Sequence, residues 1–483
     1  MSSAVVSAFR KVASQVPDRA ALIANEQTTT YSQLERRAAA AAAKIAETVK
    51  GNTVALLLPN NADFAPLFLG ALWAGKTVAV MPTLAPPPLL KLMAAEARAD
   101  VVITTEEFVP RLIEVQLHCW IADASGEADP AAVPMRELAT ETAVLLYTSG
   151  TTGRPKAVAL SERNIMENAE GCRLATGFDG KQVMLAILPL FHAYGLTVTL
   201  LLPLISGATV LIPDRFVPRA ILQSIEKYKV TCLVAVPSQY RLLAKDPTTV
   251  DTSSLWLCIA GAERLPEHVA QEFEERFNHV VVQGYGATEI SPVVSLNMPE
   301  ANRFGSVGNP LPNLKVTICD ESDHVLAPNE VGEVCVEGSA VMLGYNNDPE
   351  ATSRKICNGV LHTGDKGFID NDGYLYLVGR ADDLVKVSGE KVYPAEVETA
   401  LETIEGVDEA AVVALPDEKH GARLHAFVQP LPGAALNEME LRAACREFME
   451  PFKIPRSFAF VDQLPRTVTG KTDKRSLAVT AAG

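Results

Sequence analysis

The chain has 483 residues, more than one ordinary hydrophobic core accommodates, so it should divide into two or more lobes. Hydrophobic residues make up 48% and charged residues 21%, a balance that excludes a disordered chain. The formal net charge of −15 argues against a nucleic-acid partner, which needs a basic footprint; it does not exclude a small anionic ligand, because converging N–H groups and one lysine hold an anion locally.

The N-terminal run MSSAVVSAFRKVASQVPDR has apolar residues at helical spacing, broken by Arg10 and Lys11, and lacks the long apolar core and cleavage site of a secretion signal. Tyr31–Val49 reads as a charged helix enclosing an alanine run, Thr53–Leu58 as a buried strand, Phe64–Ala74 as a helix, and Thr77–Met81 and Val101–Thr104 as further strands. Strands alternating with helices predict an α/β fold with largely parallel, helix-covered sheets. His118 to Pro134, rich in Asp, Gly, Ser and Pro, is expected to be a surface loop. From Gln182 to Pro213 there is no Asp, Glu, Lys or Arg, yet Pro189, Gly195, Pro203 and Gly207 interrupt the run and His192 sits inside it. It therefore reads as a buried strand, a turn and a buried helix, followed by a strand at Ala208–Ile212, rather than a membrane span.

After about Gly379 the pattern changes. Pro394–Leu401 is a short helix, Ala410–Leu415 and Leu424–Gln429 are strands, and Asn437–Met449 is an amphipathic helix. Together they predict a small α+β lobe of about 100 residues, a normal domain size. The boundary is expected at Gly379-Arg380-Ala381-Asp382-Asp383: a large domain over 1–379, a hinge over 380–383 and a small domain over 384–483. The eight cysteines (Cys119, Cys172, Cys232, Cys258, Cys319, Cys335, Cys357, Cys445) form no C-x-x-C pair and sit in apolar stretches. They read as buried thiols of a reducing compartment, and the chain as cytoplasmic.

Five segments carry chemistry. In Tyr147-Thr148-Ser149-Gly150-Thr151-Thr152-Gly153-Arg154-Pro155-Lys156, the glycines let backbone N–H groups converge on an anion, the hydroxyls add donors, and Lys156 supplies charge. The spacing is not that of a Walker A loop. In Leu188-Pro189-Leu190-Phe191-His192-Ala193-Tyr194-Gly195-Leu196, a lone His192 is either a satisfied core histidine or the wall of a pocket. Gln283-Gly284-Tyr285-Gly286-Ala287-Thr288-Glu289 offers Gly284 and Gly286 for close approach to a flat ring and Tyr285 to stack on it. Thr288 can bond a phosphate oxygen and Glu289 can hold magnesium. His362-Thr363-Gly364-Asp365, with Asn371-Asp372-Gly373-Tyr374 and Gly379-Arg380, presents a carboxylate able to accept from both ribose hydroxyls, a good hairpin turn and a nearby donor. Pro465-Arg466-Thr467-Val468-Thr469-Gly470-Lys471 places a single lysine in a Gly/Thr loop.

These five motifs stand in the order found in the adenylate-forming (AMP-binding) superfamily, and from about Tyr31 to Leu477 the chain resembles its medium- and long-chain fatty acyl-CoA synthetases. One departure is Ala157, where the family usually has glycine after the lysine. The resemblance implies a large α/β domain with layered sheets and helices plus a small mobile α+β domain, with ATP bound between them. It assigns Thr148, Ser149, Gly150, Thr151, Thr152, Gly153 and Lys156 to the phosphates. Gly261-Ala262-Glu263 and Gly284-Tyr285-Gly286 fall to the adenine, Asp365 and Arg380 to the ribose, and Thr148 with Glu289 to magnesium. His192 lies at the acid pocket. His192, Thr288, Glu289 and Lys156 belong to the catalytic set with Lys471, which bridges the substrate carboxylate and the α-phosphate, where negative charge gathers.

The implied reaction is ATP-dependent formation of an acyl-adenylate followed by transfer to a thiol. The small domain would swing about Asp382, withdrawing Lys471 and bringing Lys386-Val387-Ser388-Gly389-Glu390 to the site. Relatives that activate α-amino acids place an aspartate near the second motif, and none stands there. The apolar stretches Leu188–Ile212 and Cys232–Pro237 suit an aliphatic acid. Val293-Val294-Ser295-Leu296-Asn297, with Pro299 to Gly305, looks like synthetases of medium or long fatty acids. The insertion of fatty acyl-AMP ligases is missing, which favours CoA over acyl carrier protein as acceptor. Aryl-acid or carrier-protein adenylation and a catalytically silent adenylate-binding paralogue are the alternatives.

Overall fold

The computed structural model describes residues 3–148, 156–417, 421–431, 433–466 and 472–482. The chain forms two compact units: Met1–Leu265 with Val269–Val316 and Val336–Leu361, and Pro266–His268 with Thr317–Cys335 and His362–Gly483. The fold is mixed α/β, with large N-terminal sheets and a small C-terminal α+β part.

The first unit holds two large sheets. One runs in the order Gly344–Tyr345, Lys156–Leu160, Val144–Thr148, Thr77–Val80, Thr53–Leu57, Ala99–Thr104, Cys119–Ile121. From Val144–Thr148 outward its pairs are parallel. The runs TVALL and TVAV are buried at every position, as expected of strands covered on both faces. Phe64–Trp73 is buried at all ten residues, so it is a core helix, each large side chain contributing about 1.5–3 kcal/mol of burial. The expected loop at His118–Pro134 is corrected in part. Cys119–Ile121 is an edge strand parallel to Ala99–Thr104, too short for its three residues to show any period in the sequence.

At the other edge the sheet stops being parallel. Val144–Thr148 and Lys156–Leu160 are antiparallel, and their last paired residues are Thr148 and Lys156. Residues 149–155 thus join the two strands of a hairpin whose ends are fixed by the sheet.

The second sheet is ordered Asn309–Pro310, Val293–Leu296, Val281–Gly286, Leu257–Ala260, Cys232–Ala235, Val183–Leu185, Thr209–Ile212, Ala20–Ala24, Gln27–Thr30. The charge-free stretch becomes the strand Val183–Leu185, an eight-residue π-helical segment Tyr194–Leu201, the short helix Leu202–Ser206 and the strand Thr209–Ile212. Gly195 is required where the π-helical segment starts, because a Cβ there would lie 2.2 Å from the Pro189 carbonyl oxygen. Among the described residues, no helix is long and apolar enough to cross a membrane.

A third sheet, ordered Lys315–Cys319, Gly332–Glu337, Val360–Ile369, Ile356–Cys357, has Leu375–Arg380 paired to Val360–Ile369. The turn of that last pair uses Asp370, whose carboxylate accepts from the Asp372 and Tyr374 N–H groups, and Gly373 at φ +87°. The C-terminal sheet is ordered Glu390–Val392, Val385–Val387, Gly421–Pro430, Val407–Asp417, with Ser457–Phe460 parallel to Gly421–Pro430. Its first hairpin turns through Ser388 and Gly389, both at positive φ. The helices Pro394–Glu402 and Glu438–Phe448 bury Val397, Leu401, Leu441 and Cys445 against Val412 and Val428. All eight cysteines are free thiols, Cys119 and Cys357 being half-buried and the rest buried.

Candidate active site

In the first unit the structure joins three residues from separate motifs. The Lys156 ammonium lies over the Tyr345 ring, 4.8 Å from its centroid, and the Tyr345 hydroxyl donates to Glu289 Oε1 at 2.9 Å. Tyr345 is held by strand pairing with Val158, and by Asn346, whose N–H donates to the Ala157 carbonyl. Tyr345 therefore sets the distance between Lys156 and the carboxylate of the GYGATE turn. Thr148, across the hairpin from Lys156, directs its hydroxyl to the Lys156 carbonyl at 3.5 Å, a long contact that a better acceptor can replace. Tyr147, beside it, is structural: its buried hydroxyl donates to the Met93 carbonyl, and burial raises it above the ordinary tyrosine range.

Glu289 owes its place to the helix Glu162–Thr176, which starts with a capping box between Ser161 and Asn164. One turn further, the fully buried Asn168 donates to the carbonyls of Ile290 and Val293 and accepts from the Val293 N–H. Asn164 donates to the carbonyls of Ser339 and Val341. The next residue, Met342, bonds the Glu289 carbonyl at 2.8 Å. Two asparagines on one helix face thus hold the turn carrying Glu289 and the segment leading to Tyr345. Asn168→Leu should strip three hydrogen bonds from buried backbone, each loss costing about 1–3 kcal/mol. A clear fall in thermal midpoint with impaired adenylation is expected, read by calorimetry and by pyrophosphate exchange.

The GYG hairpin is packed as its glycines require. Gly286 pairs with Val293, and a Cβ on it would lie 2.2 Å from the Pro292 carbonyl oxygen. Tyr285 is half-buried opposite Ser295, and Gln283 Nε2 reaches the Glu263 carbonyl at 3.4 Å. Ala262 sits at φ +70° and is exposed. Thr288 opens the short 3-10 turn that contains Glu289.

At Gly261 the structure reveals a neighbour that sequence reasoning missed. A Cβ there would stand 2.6 Å from the Tyr194 ring. Tyr194 retains some accessible surface although its hydroxyl is pushed well above the ordinary tyrosine range by burial. It packs against an apolar cluster that includes Leu188, Val198 and Ile259, so an apolar wall adjoins the Gly261 segment. His192 is half-buried, its ring tilted on Phe191 at 4.8 Å between centroids.

In the second unit, Asp365 and Arg380 face each other across paired strands, with Arg380 Nε 3.3 Å from Asp365 Oδ1. The Asp365 N–H donates to Thr363 Oγ1, whose hydroxyl donates to the Val334 carbonyl, so the carboxylate is set by the sheet. Ser149, Gly150, Thr151, Thr152, Gly153 and Lys471 lie outside the described residues. Among the described residues, no three His, Cys, Asp or Glu side chains cluster to hold a metal. Glu289 instead offers one carboxylate whose Oε1 is fixed by Tyr345, which suits magnesium, a cation that uses few protein oxygens and keeps phosphate and water as its other ligands.

An α/β fold that sets Lys156 beside a tyrosine-held carboxylate and ends in a C-terminal α+β sheet has the groups that a nucleotide-dependent acid-activating enzyme uses. The chain belongs to the AMP-binding enzyme family, the AMP-forming acid–thiol (CoA) ligases: the family pattern matches residues 9–346, and that of the AMP-binding enzyme C-terminal domain matches residues 396–471. It is 32% identical to a long-chain-fatty-acid–CoA ligase of Bacillus subtilis, over 89% of this chain and 85% of that one. It is 34% identical to a feruloyl-CoA synthase of Amycolatopsis sp, over 92% of each. Among solved structures, ATP-bound MatB from Rhodopseudomonas palustris superposes with a TM-score of 0.91 at 27% identity, over 99% of both chains.

Proposed function

We propose that this chain activates an apolar carboxylic acid of the fatty-acid class with ATP and magnesium and transfers the acyl group to coenzyme A. The observation that carries the proposal is the Lys156–Tyr345–Glu289 array, which holds together a cation and a carboxylate, the two kinds of group that a triphosphate and its metal require. The substrate carboxylate attacks the α-phosphorus in line and pyrophosphate leaves. No protein nucleophile takes part, so positioning and charge neutralisation lower the barrier.

Lys156 and the loop it closes hold the β- and γ-phosphates, and Thr288 bonds the α-phosphate. Asp365 accepts from the ribose hydroxyls with Arg380 beside it, while Gly261, Ala262, Glu263, Gly284, Tyr285 and Gly286 border the adenine. Glu289 and Thr148 are the residues that would hold magnesium, whose charge offsets that of the triphosphate. His192 and Tyr194 wall the acid site. The apolar surroundings of Tyr194 support an acid with an apolar body. The large domain spans 1–379, residues 380–383 are the hinge, and 384–483 form the mobile domain.

Pyrophosphate exchange across straight-chain C2 to C18 acids and a set of aryl acids, followed by CoA against holo acyl carrier protein, tests this reading. Exchange that peaks on a straight-chain acid and thioester formed with CoA support it. A preference for an aryl acid, or acyl transfer to the carrier protein alone, overturns the corresponding half.

Glu289→Gln tests the metal assignment. The amide keeps the shape and can still accept from Tyr345, but it loses the charge. Adenylation should slow by about 10- to 100-fold, with the magnesium midpoint moved to higher concentration. Binding of preformed acyl-adenylate, which lacks the β- and γ-phosphates, should change little. An unaltered magnesium titration would remove Glu289 from the metal site.

A further inference from the structure

We propose that Glu409 is a positioning residue for the adenylation step, acting through the loop that carries Lys471. The inference rests on the reading of Lys471 as the lysine that bridges carboxylate and α-phosphate.

The chain enters residues 467–471 from Arg466 and leaves at Thr472. These two residues form an antiparallel bridge, and the Asp473 N–H donates to the Pro465 carbonyl at 2.8 Å. Glu409 closes this stem from the side. Its Oε2 accepts from Arg466 Nη2 at 2.5 Å, and its Oε1 accepts from the Thr472 hydroxyl at 3.3 Å. Arg466 Nη1 completes the triangle by donating to Thr472 Oγ1 at 3.1 Å. The Thr472 hydroxyl is thus donor to one partner and acceptor from the other.

The clamp has a rigid base. Glu409 stands on Val407–Asp417, a long strand paired along its length with Gly421–Pro430. On the entry side, Leu464 N–H donates to Gln429 Oε1, and Gln429 Nε2 donates to the buried Asp408 at 2.7 Å. On the exit side, Lys474 pairs with Glu398 at 2.7 Å, and Glu398 also accepts from the Val412 N–H at 2.6 Å. Positions 464, 466, 472 and 474 are therefore each tied to the C-terminal sheet or its helix. The residue next to Thr472 is Lys471.

A surface ion pair would ordinarily contribute little. Here, with Arg466 and Glu409 side chains only 27% and 19% exposed, the carboxylate is divided between the residues on either side of 467–471. Its effect is geometric. Removing it frees the stem, and a catalytic charge displaced by about 1 Å loses on the order of 10²-fold in rate. The competing explanation is that Glu409 only stabilises the C-terminal fold, which would affect every step alike.

The test uses the full-length enzyme and measures the two half-reactions separately. Glu409→Ala should lower the turnover of pyrophosphate exchange by about 10- to 100-fold, with the KM for ATP little changed and thioester formation from supplied acyl-adenylate within about twofold. Thr472→Val, which preserves shape, should give a smaller loss of the same kind, and Glu409→Gln should recover part of the rate. In a Lys471→Ala background, Glu409→Ala should cost nothing further, since the two act as one unit. Wild-type exchange in both Glu409→Ala and Thr472→Val, equal losses in the two half-reactions, or fully additive effects with Lys471→Ala would overturn the proposal. Lys471→Ala with wild-type exchange would instead overturn the reading on which it rests.

Discussion

Lys471→Ala is expected to reduce acyl-adenylate formation by about 10²–10³-fold, the range seen when one preorganised charge or donor is removed from a developing anion. Negative charge gathers between the carboxylate and the α-phosphate as the new bond forms, and in the proposed reading Lys471 of PRTVTGK supplies the charge that meets it. The same substitution should leave thioester formation from supplied acyl-adenylate within about twofold, because the proposed swing of the small domain withdraws Lys471 before that step. Lys471→Arg keeps the charge but spreads it over a planar fork, so it should recover only part of the rate. Pyrophosphate exchange and thioester release, measured side by side, decide the matter. Equal losses in both half-reactions would contradict a lysine that serves one step alone.

The parts of the fold that showed in the sequence are those where burial is complete. TVALL and TVAV are covered on both faces, so their hydrophobicity is continuous, and Phe64–Trp73 is apolar all round for the same reason. Cys119–Ile121 did not show, since three edge residues carry no period. In the site, the glycine and hydroxyl run that starts at Thr148 stood out because no fold element needs so many of them together; residues 149–153 lie outside the described residues.

Side chains that position others left a weaker trace. Asn164 and Asn168 look like solvent-facing polar residues of a charged helix, yet they share a face with the buried Ile165, Ala169 and Cys172. An i, i+4 asparagine pair on an apolar face is the signal that could have found them. Tyr345 sat in plain view beside Gly344, but its link from Lys156 to Glu289 depends on two strands and a 3-10 turn meeting.

The stretch VVSLN with PEANRFG, read in the sequence as pointing to an acid class, also has a folding role. Ser295 donates to the Val307 carbonyl, and Asn297 donates to the Ser306 carbonyl while accepting from the Arg303 N–H. Gly308 at φ +84° comes so close to the Leu296 backbone that no side chain fits there. Those polar residues shape the edge of the second sheet whatever the acid.

Asp382→Pro separates the two half-reactions in the opposite sense to Lys471→Ala. Asp382 is exposed in the middle of a three-residue 3-10 turn, Ala381–Asp383, which Leu384 closes by donating to the Ala381 carbonyl at 3.3 Å. In such a turn φ lies near −50 to −70°, a range the proline ring already occupies, so the observed conformation accepts the substitution with modest crowding at Ala381. A hinge must leave that range to turn the C-terminal residues, and a locked φ resists the change. A penalty of about 3 kcal/mol on the rotated state, the scale of a misplaced proline, would lower the thioester step by about 10²-fold. Pyrophosphate exchange should stay close to wild type. Asp382→Ala, which frees rather than fixes the backbone, should preserve both steps and so distinguishes rigidity from loss of the carboxylate. If the proline variant makes thioester at the wild-type rate, the pivot lies elsewhere in 380–383 or outside it, and scanning proline through Arg380, Ala381 and Asp383 with the same pair of assays would locate it.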